Sequence, residues 1–378
     1  MTTNPQVRDF TGSRRPQPRA RVAMHSAADL LLTLWIVGDR LAESDPEVAL
    51  ENYDLGPDWF VAIDDGLSPE LRDDITRIGI GEIWVGLLTL LTELPDNSTI
   101  EDFVGLLAGY DPVELRLLLL THHDGVPEGN LSASREAAGG DSEAISAVLS
   151  LPTFDDREHW RHGLKYLLEL EPSQTHDAIA SIVRRFSDEV FSPHAAAFRP
   201  ILERDAEAKR AMATRVSSRR LVEVATNGID PSQHQRPILL IPHVVARPWV
   251  VFTDTPDELL LCYPVADEYM AADPDAPPQW LIKTYKALGD ERRLRILRRL
   301  SRGPASLHEL TAELNASKST IHHHLMLLRS AGLIRVTIGR DKEYSLRKDV
   351  VPETTAILQS YIGGTESEPG DPGDSTPR

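Results

Sequence analysis

The chain has 378 residues, 41% of them hydrophobic, with 40 Lys and Arg against 58 Asp and Glu, a formal net charge of −18. That length exceeds one small module and predicts two or three domains, while no apolar run approaches the roughly 18 residues of a membrane span. The single cysteine, Cys262, excludes an intrachain disulfide and any cysteine-built metal centre, and a reducing cytoplasm is the expected location.

Residues 1–24 carry Arg14, Arg15, Arg19 and Arg21 among Pro and Gly and are expected to form a disordered basic tail. They lack the apolar core of a secretory signal, and Met24 offers a second start. A basic arm for a minor groove is the functional alternative. Residues 25–226 are expected to form a helical domain. Apolar periodicity marks 27–42, 82–93, 100–108, 112–120, 143–149, 156–170 and 176–190. Ser98 or Thr99, Asp111, Asp155 and Ser173 read as helix caps, and 194–226 reads as one long helix stopped at Asn227-Gly228.

Residues 227–270 predict a small β segment, with short β-branched runs at 237–245, 249–253 and 259–263. A Pro/Asp linker follows at 271–279, and 363–378 is expected to be a disordered tail. Charge divides with this organisation. Residues 278–362 hold 15 Lys and Arg against 8 Asp and Glu, or +7, so the rest of the chain carries −18 − 7 = −25. Only the basic module has the sign that attracts phosphate.

Residues 280–362 are expected to form a winged helix-turn-helix. A lead-in helix spans 280–288. Asp290 caps a helix over 291–300 whose apolar stripe is Leu294, Ile296, Leu297 and Leu300. Residues 306–314 form the first helix of the pair, Asn315-Ala316 the turn, and Ser317–Gly332 the second helix. A β-hairpin over 333–346 forms the wing, with Arg340 and Lys342 at its tip. On the second helix Ile321, Leu325 and Leu328 fall at i, i+4 and i+7, one core stripe. Ser319, His323, Met326 and Ser330 lie opposite, flanked by Thr320 and His322. Ser317, Lys318 and Thr320 at the helix start suit a phosphate, and Ser319, His322 and His323 are short enough to meet base edges. Arg340 and Lys342 suit DNA backbone or minor groove. Three consecutive histidines diverge by about 100° per residue, against the i, i+3 or i, i+4 spacing of helical metal ligands. His324 is therefore expected to be packed and hydrogen-bonded, and no metal is expected there.

ALGDERRLRILRRL (287–300) together with SKSTIHHHLMLLRSAGLIRV (317–336) resembles the ArsR family of bacterial winged-helix repressors. The resemblance covers about 80 residues. It implies a homodimer reading a near two-fold operator on double-stranded DNA and released by an effector. The metal sites of the family's metal sensors are not carried over, because the 306–314 helix has no cysteine and the final helix, near 352–362, has no histidine.

The expected fold class is thus mainly α (α+β), a helical N-terminal body with a small β segment followed by a C-terminal winged helix-turn-helix. The expected function is a sequence-specific transcriptional regulator, a dimeric repressor released by a non-metal effector acting through the N-terminal domain. A protein-interaction adaptor that uses the winged helix for docking is the alternative. No cofactor and no membrane partner are expected. His159 and His162, at i, i+3, read as a solvated helix face rather than a metal pair, and His122-His123-Asp124 as a helix end. Residues 79–86 lack a dinucleotide-binding glycine pattern, and no hydrolase, metalloprotease or phosphate-loop motif occurs, so no enzyme is expected.

Overall fold

The structure, a computed structural model, describes residues 19–41, 50, 53–78, 81–122, 130–152, 158–270, 277, 279–337, 342–347 and 350–363. The chain divides into two compact units, Met1–Thr226 with Asp230–Tyr269, and Asn227–Ile229 with Met270–Arg378.

The first unit opens with strand β1 (Ala20–Val22) and helix α1 (Ala27–Leu41). The run LLLTLWIVG is apolar nearly all round, and α1 is accordingly buried along most of its length. Helices α2 (Gly56–Asp65), α3 (Pro69–Ile78) and α4 (Gly81–Leu87) follow, α4 tightening into a 3₁₀ turn over Leu88–Glu93. Then come α5 (Ile100–Ala108), α6 (Pro112–Thr121), α7 (Leu131–Ala138), α8 (Ser142–Leu149), α9 (Glu158–Glu169) and α10 (Pro172–Phe186). A π turn, Ser187–Phe191, leads into α11 (Ser192–Ala213), and α12 (Ser218–Ala225) closes the helical series.

Local chemistry sets many of these ends. Thr99 makes a capping box with Asp102, and the Asp111 carboxylate accepts from the N–H groups of Val113 and Glu114. Two expectations need correction. Glu171, not Ser173, occupies the N-cap of α10, because Pro172 fixes the first helical residue. The long helix expected over 194–226 is broken at 214–217, and Ser217 restarts it by accepting the Arg220 N–H. Asp155 and His123 lie outside the described residues.

Strand β2 (Ile229–Asp230) begins the β-rich segment, followed by β3 (Ile238–His243), β4 (Val251–Asp254) and β5 (Leu259–Pro264). The first unit's sheet has the order β1-β3-β5-β4, with β1, β3 and β5 parallel and β4 antiparallel. Every residue of β3 is buried, as expected of a parallel strand covered on both faces. This sheet corrects two boundaries. The segment 227–270 does not stand alone, since β3 pairs with β1, and the basic tail ends before Ala20 rather than at Met24, which is 1% exposed.

Two buried charged groups tie the unit together. Arg116, on α6, donates to the carbonyls of Ala138, Leu167 and Leu170 and to the Thr175 hydroxyl, joining α6 to the ends of α7, α9 and α10. Asp29, in the first turn of α1, accepts from the N–H groups of Val244 and Val245, each at 2.8 Å, and so fixes the chain leaving β3. Burial raises Asp29 to about 7, against the pull of those two donors. Burial also lowers His25 to about 4 and His243 to about 3, and pushes the Cys262 thiol up.

The second unit contains α13 (Gln279–Leu288), α14 (Glu291–Leu300), β6 (Ala305–Ser306), α15 (Leu307–Leu314), α16 (Lys318–Ser330), β7 (Ile334–Thr337), β8 (Glu343–Leu346) and α17 (Val350–Gly363). Its sheet runs β2-β7-β8-β6, so the expected two-stranded wing carries a further strand on each side. Asn227-Gly228 does more than stop a helix. The Gly228 carbonyl accepts from Val336 N–H at 2.9 Å, and the Asn227 side chain donates to Ser330 O at 3.0 Å. Gly228 has φ +117°, and a Cβ there would sit 2.7 Å from Ile334 O. The core joins Ile296, Leu300, Leu310, Ile321, Leu325, Leu328, Leu333 and Tyr344. Among the described residues no single helix is long and apolar enough to cross a membrane.

Asp29 gives the first unit a pH signature. Its folded pKa lies above the carboxylate's unfolded value of about 4, so its contribution is full below that pH and is lost as pH rises to about 7. Asp29→Asn keeps the acceptor oxygen without the charge. The melting temperature of the variant minus that of the wild type should rise by several degrees between pH 5 and pH 8. His25 and His243 act in both proteins and cancel in the difference. A difference independent of pH in scanning calorimetry contradicts the assignment.

Candidate nucleic-acid interface

The helix-turn-helix is built by three local devices. Ser306 and Glu309 form a reciprocal capping box at the start of α15, with Ser306 N–H to Glu309 Oε2 at 2.7 Å and Glu309 N–H to Ser306 Oγ at 3.2 Å. Asn315 ends α15 in the left-handed conformation, φ +49°, which asparagine tolerates better than most residues. Ser317 caps α16, its Oγ accepting from Thr320 N–H at 3.1 Å while the Ser319 and Thr320 hydroxyls lie 3.0 and 2.7 Å away.

Helix α16 buries one stripe. Ile321, Leu325 and Leu328 are buried, as is His324. Ser317, Lys318, Ser319, His322 and His323 are exposed, and Met326 is half-buried. Six of the residues expected to meet DNA therefore occupy one helix start and its open face. Thr320 is the most enclosed of them, half-buried against the turn. Lys342, on the wing, is exposed and close enough to bias His322 electrostatically. Partial desolvation, then Lys342 and Arg329, hold His322 below its usual pKa, so its ring is neutral near pH 7 and can both donate and accept at a base edge. Arg340 lies outside the described residues.

Several expectations change. His324 is buried but makes no hydrogen bond through Nδ1, which stands 4.0 Å from the Asp290 carboxylate. Burial lowers its pKa, against the opposing pull of Asp290. Ser330 shares the face of Ser319 but is half-buried, its hydroxyl donating to Leu327 O and its carbonyl accepting from the Asn227 side chain. Leu294 is 48% exposed and leaves the α14 stripe to Ile296, Leu297 and Leu300. Arg329 is buried, and desolvation lowers it to about 10.

Arg292 and Arg295 lie exposed on the polar side of α14. With Asn315, Ser317 and Thr320 they rim a cleft of about 380 Å³ beside the start of α16. Their i, i+3 spacing was the available signal, but only the packing of α14 beside the turn joins them to this edge. Among the described residues no three His, Cys, Asp or Glu side chains gather as a metal site.

Residues 290–336 match the family described as "Bacterial regulatory protein, arsR family". A curated relative, "Transcriptional repressor SmtB homolog" of Synechocystis sp. (strain ATCC 27184 / PCC 6803 / Kazusa), is 34% identical over 83 residues, 22% of this chain and 61% of the relative. The chain thus spans about three fifths of that relative's length. Among solved structures, an ArsR family transcriptional regulator is 29% identical over 22% of this chain and 93% of its own, with a TM-score of 0.21. HlyU from Vibrio cholerae N16961 is 29% identical over 22% and 94%, with a TM-score of 0.19.

The cap on α16 is directly testable. Ser317→Ala removes the acceptor for Thr320 N–H and should destabilise the second unit by about 1 kcal/mol, whereas Ser317→Gly should cost only a few tenths. Urea denaturation followed by far-ultraviolet circular dichroism reads the difference. Equal losses for both variants would exclude the cap as the source.

Proposed function

We propose that this chain, whose C-terminal region carries an ArsR-family helix-turn-helix, is a DNA-binding transcriptional regulator that reads its operator through α16. The observation that carries the reading is the division of α16 into a buried apolar stripe and an open polar start, within a module of charge +7. Ser319, His322 and His323 face the base edges of a major groove. Ser317, Lys318 and Thr320 hold a phosphate at the helix start, and Arg340 and Lys342 hold the backbone or minor groove from the wing. The family matches point to a regulator rather than a catalyst.

The functional form is a homodimeric repressor. Tyr285 on α13 and Tyr361 and Ile362 on α17 are large apolar groups left exposed at 39%, 45% and 73%, which supports a partner surface on these two helices. The effector is not a metal held by cysteines, since the sole cysteine, Cys262, is buried in the first unit. That unit is the proposed effector domain.

Quantitative band shifts test this. DNA from upstream of the protein's own gene should be retarded at low salt, with affinity falling steeply as salt rises. Arg340→Ala should weaken binding to specific and scrambled DNA alike. His323→Ala should narrow the gap between the two, by about 1–3 kcal/mol for a lost base contact. Absence of any shift at low salt, with both substitutions silent, contradicts the reading.

A further inference from the structure

We propose that Arg329, near the end of α16, receives a DNA backbone phosphate where the duplex crosses the seam between α16 and the wing. Arg329 is 7% exposed, yet among the described residues no oxygen accepts from its guanidinium and no carboxylate pairs with it. The other two arginines buried among the described residues are both satisfied. Arg116 donates to three carbonyls and the Thr175 hydroxyl, and Arg247 pairs with Asp54 and Asp267. A buried charge with no partner is costly to the free protein, so an arginine kept in that state calls for an anion supplied from outside.

The geometry says which anion. Arg329 and His322 stand at i+7 and i and share one flank of α16. That flank lies roughly 80–100° around from Ile321, between the core stripe and the open face. It faces the wing. Tyr344 on β8 is close enough to act on Arg329, and Lys342 just before β8 acts on His322, as Arg329 itself does. No guanidinium nitrogen of Arg329 is shut off from water without a partner. The stem is therefore buried while the charged tip reaches the seam. With α16 in a major groove and the wing in the neighbouring minor groove, the sugar–phosphate ridge between the two grooves passes over this seam. A phosphate there meets a guanidinium that water screens little, and the planar fork suits its oxygens. From the flank Arg329 does not reach base edges, which are left to Ser319, His322 and His323. Its contribution is therefore the same for every sequence.

This assignment rests on the regulatory reading above and deepens it. Band shifts over a range of salt, on the full chain, compare DNA from upstream of its own gene with a scrambled duplex. Arg329→Met removes the charge and keeps most of the volume. It should weaken both duplexes about tenfold, the loss of one charge-assisted hydrogen bond. The fall of log affinity with log salt should become shallower by about 1. Arg329→Lys keeps the charge and should restore the slope, whereas His323→Ala should leave the slope alone. In urea, the midpoint of Arg329→Met should equal or exceed that of the wild type, because the free protein loses a buried charge that nothing offsets. Should that variant fail to fold, Arg329→Gln carries the same comparison. A wild-type salt slope in the folded variant, or a loss confined to the upstream duplex, overturns the contact and leaves the regulator standing. A lowered urea midpoint with an unchanged slope marks an arginine that serves the fold alone and overturns it equally. A wild-type chain that shifts neither duplex at low salt contradicts the regulator, and the contact with it.

Discussion

A helix packed on one side buries one stripe, and in α16 that stripe is fixed by Ile321, Leu325 and Leu328. Everything proposed for this protein's contact with DNA depends on it. With those three residues in the core, Ser319, His322 and His323 must face outward. A rotation of α16 by one residue would send roughly 100° of its surface the other way, bury polar groups without partners and expose leucine. The same constraint turns a histidine run into three different environments. His324 is packed beside Asp290, His323 stands open against its edge, and His322 lies under the influence of the wing.

Contacts at the far end of α16 hold it in place. Asn227 receives Arg347 and donates to Ser330 O, while Arg347 also donates to Gly332 O. Gly332 has φ +68°, and a Cβ there would approach Asn227 Oδ1 to 2.7 Å. The segment 227–229 thus serves the second unit although it is separated from the rest of that unit by the strands of the first unit. Charge follows the same division, with +7 on residues 278–362 against −25 over the rest of the chain.

Much of this was legible in the sequence where the cause is local. Thr99, Asp111, Asp290 and Ser317 cap helices because their side chains meet N–H groups two or three residues ahead, whereas Ser306, read as the first residue of its helix, proves to be its cap. Strand β1 was not legible, because three residues in an arginine- and proline-rich stretch become a strand only against Ile238–Leu240. Helices α3 and α7 escaped notice because few of their residues are large and apolar, and α2 because its apolar residues form one unbroken run, Trp59–Ile63, rather than a helical stripe. At the interface, Leu294 misled because it lies roughly 200° around α14 from Ile296. The bond from Asn227 to the Ser330 carbonyl, more than a hundred residues apart, left no mark in the sequence.

The most direct measurement is hydrogen–deuterium exchange on the full chain with and without DNA from upstream of its own gene. Backbone protection is expected at the start of α16, around 317–323, and along the wing strands 334–337 and 343–346. Protection confined to the acidic first unit, with α16 and the wing unchanged, would contradict recognition through this helix.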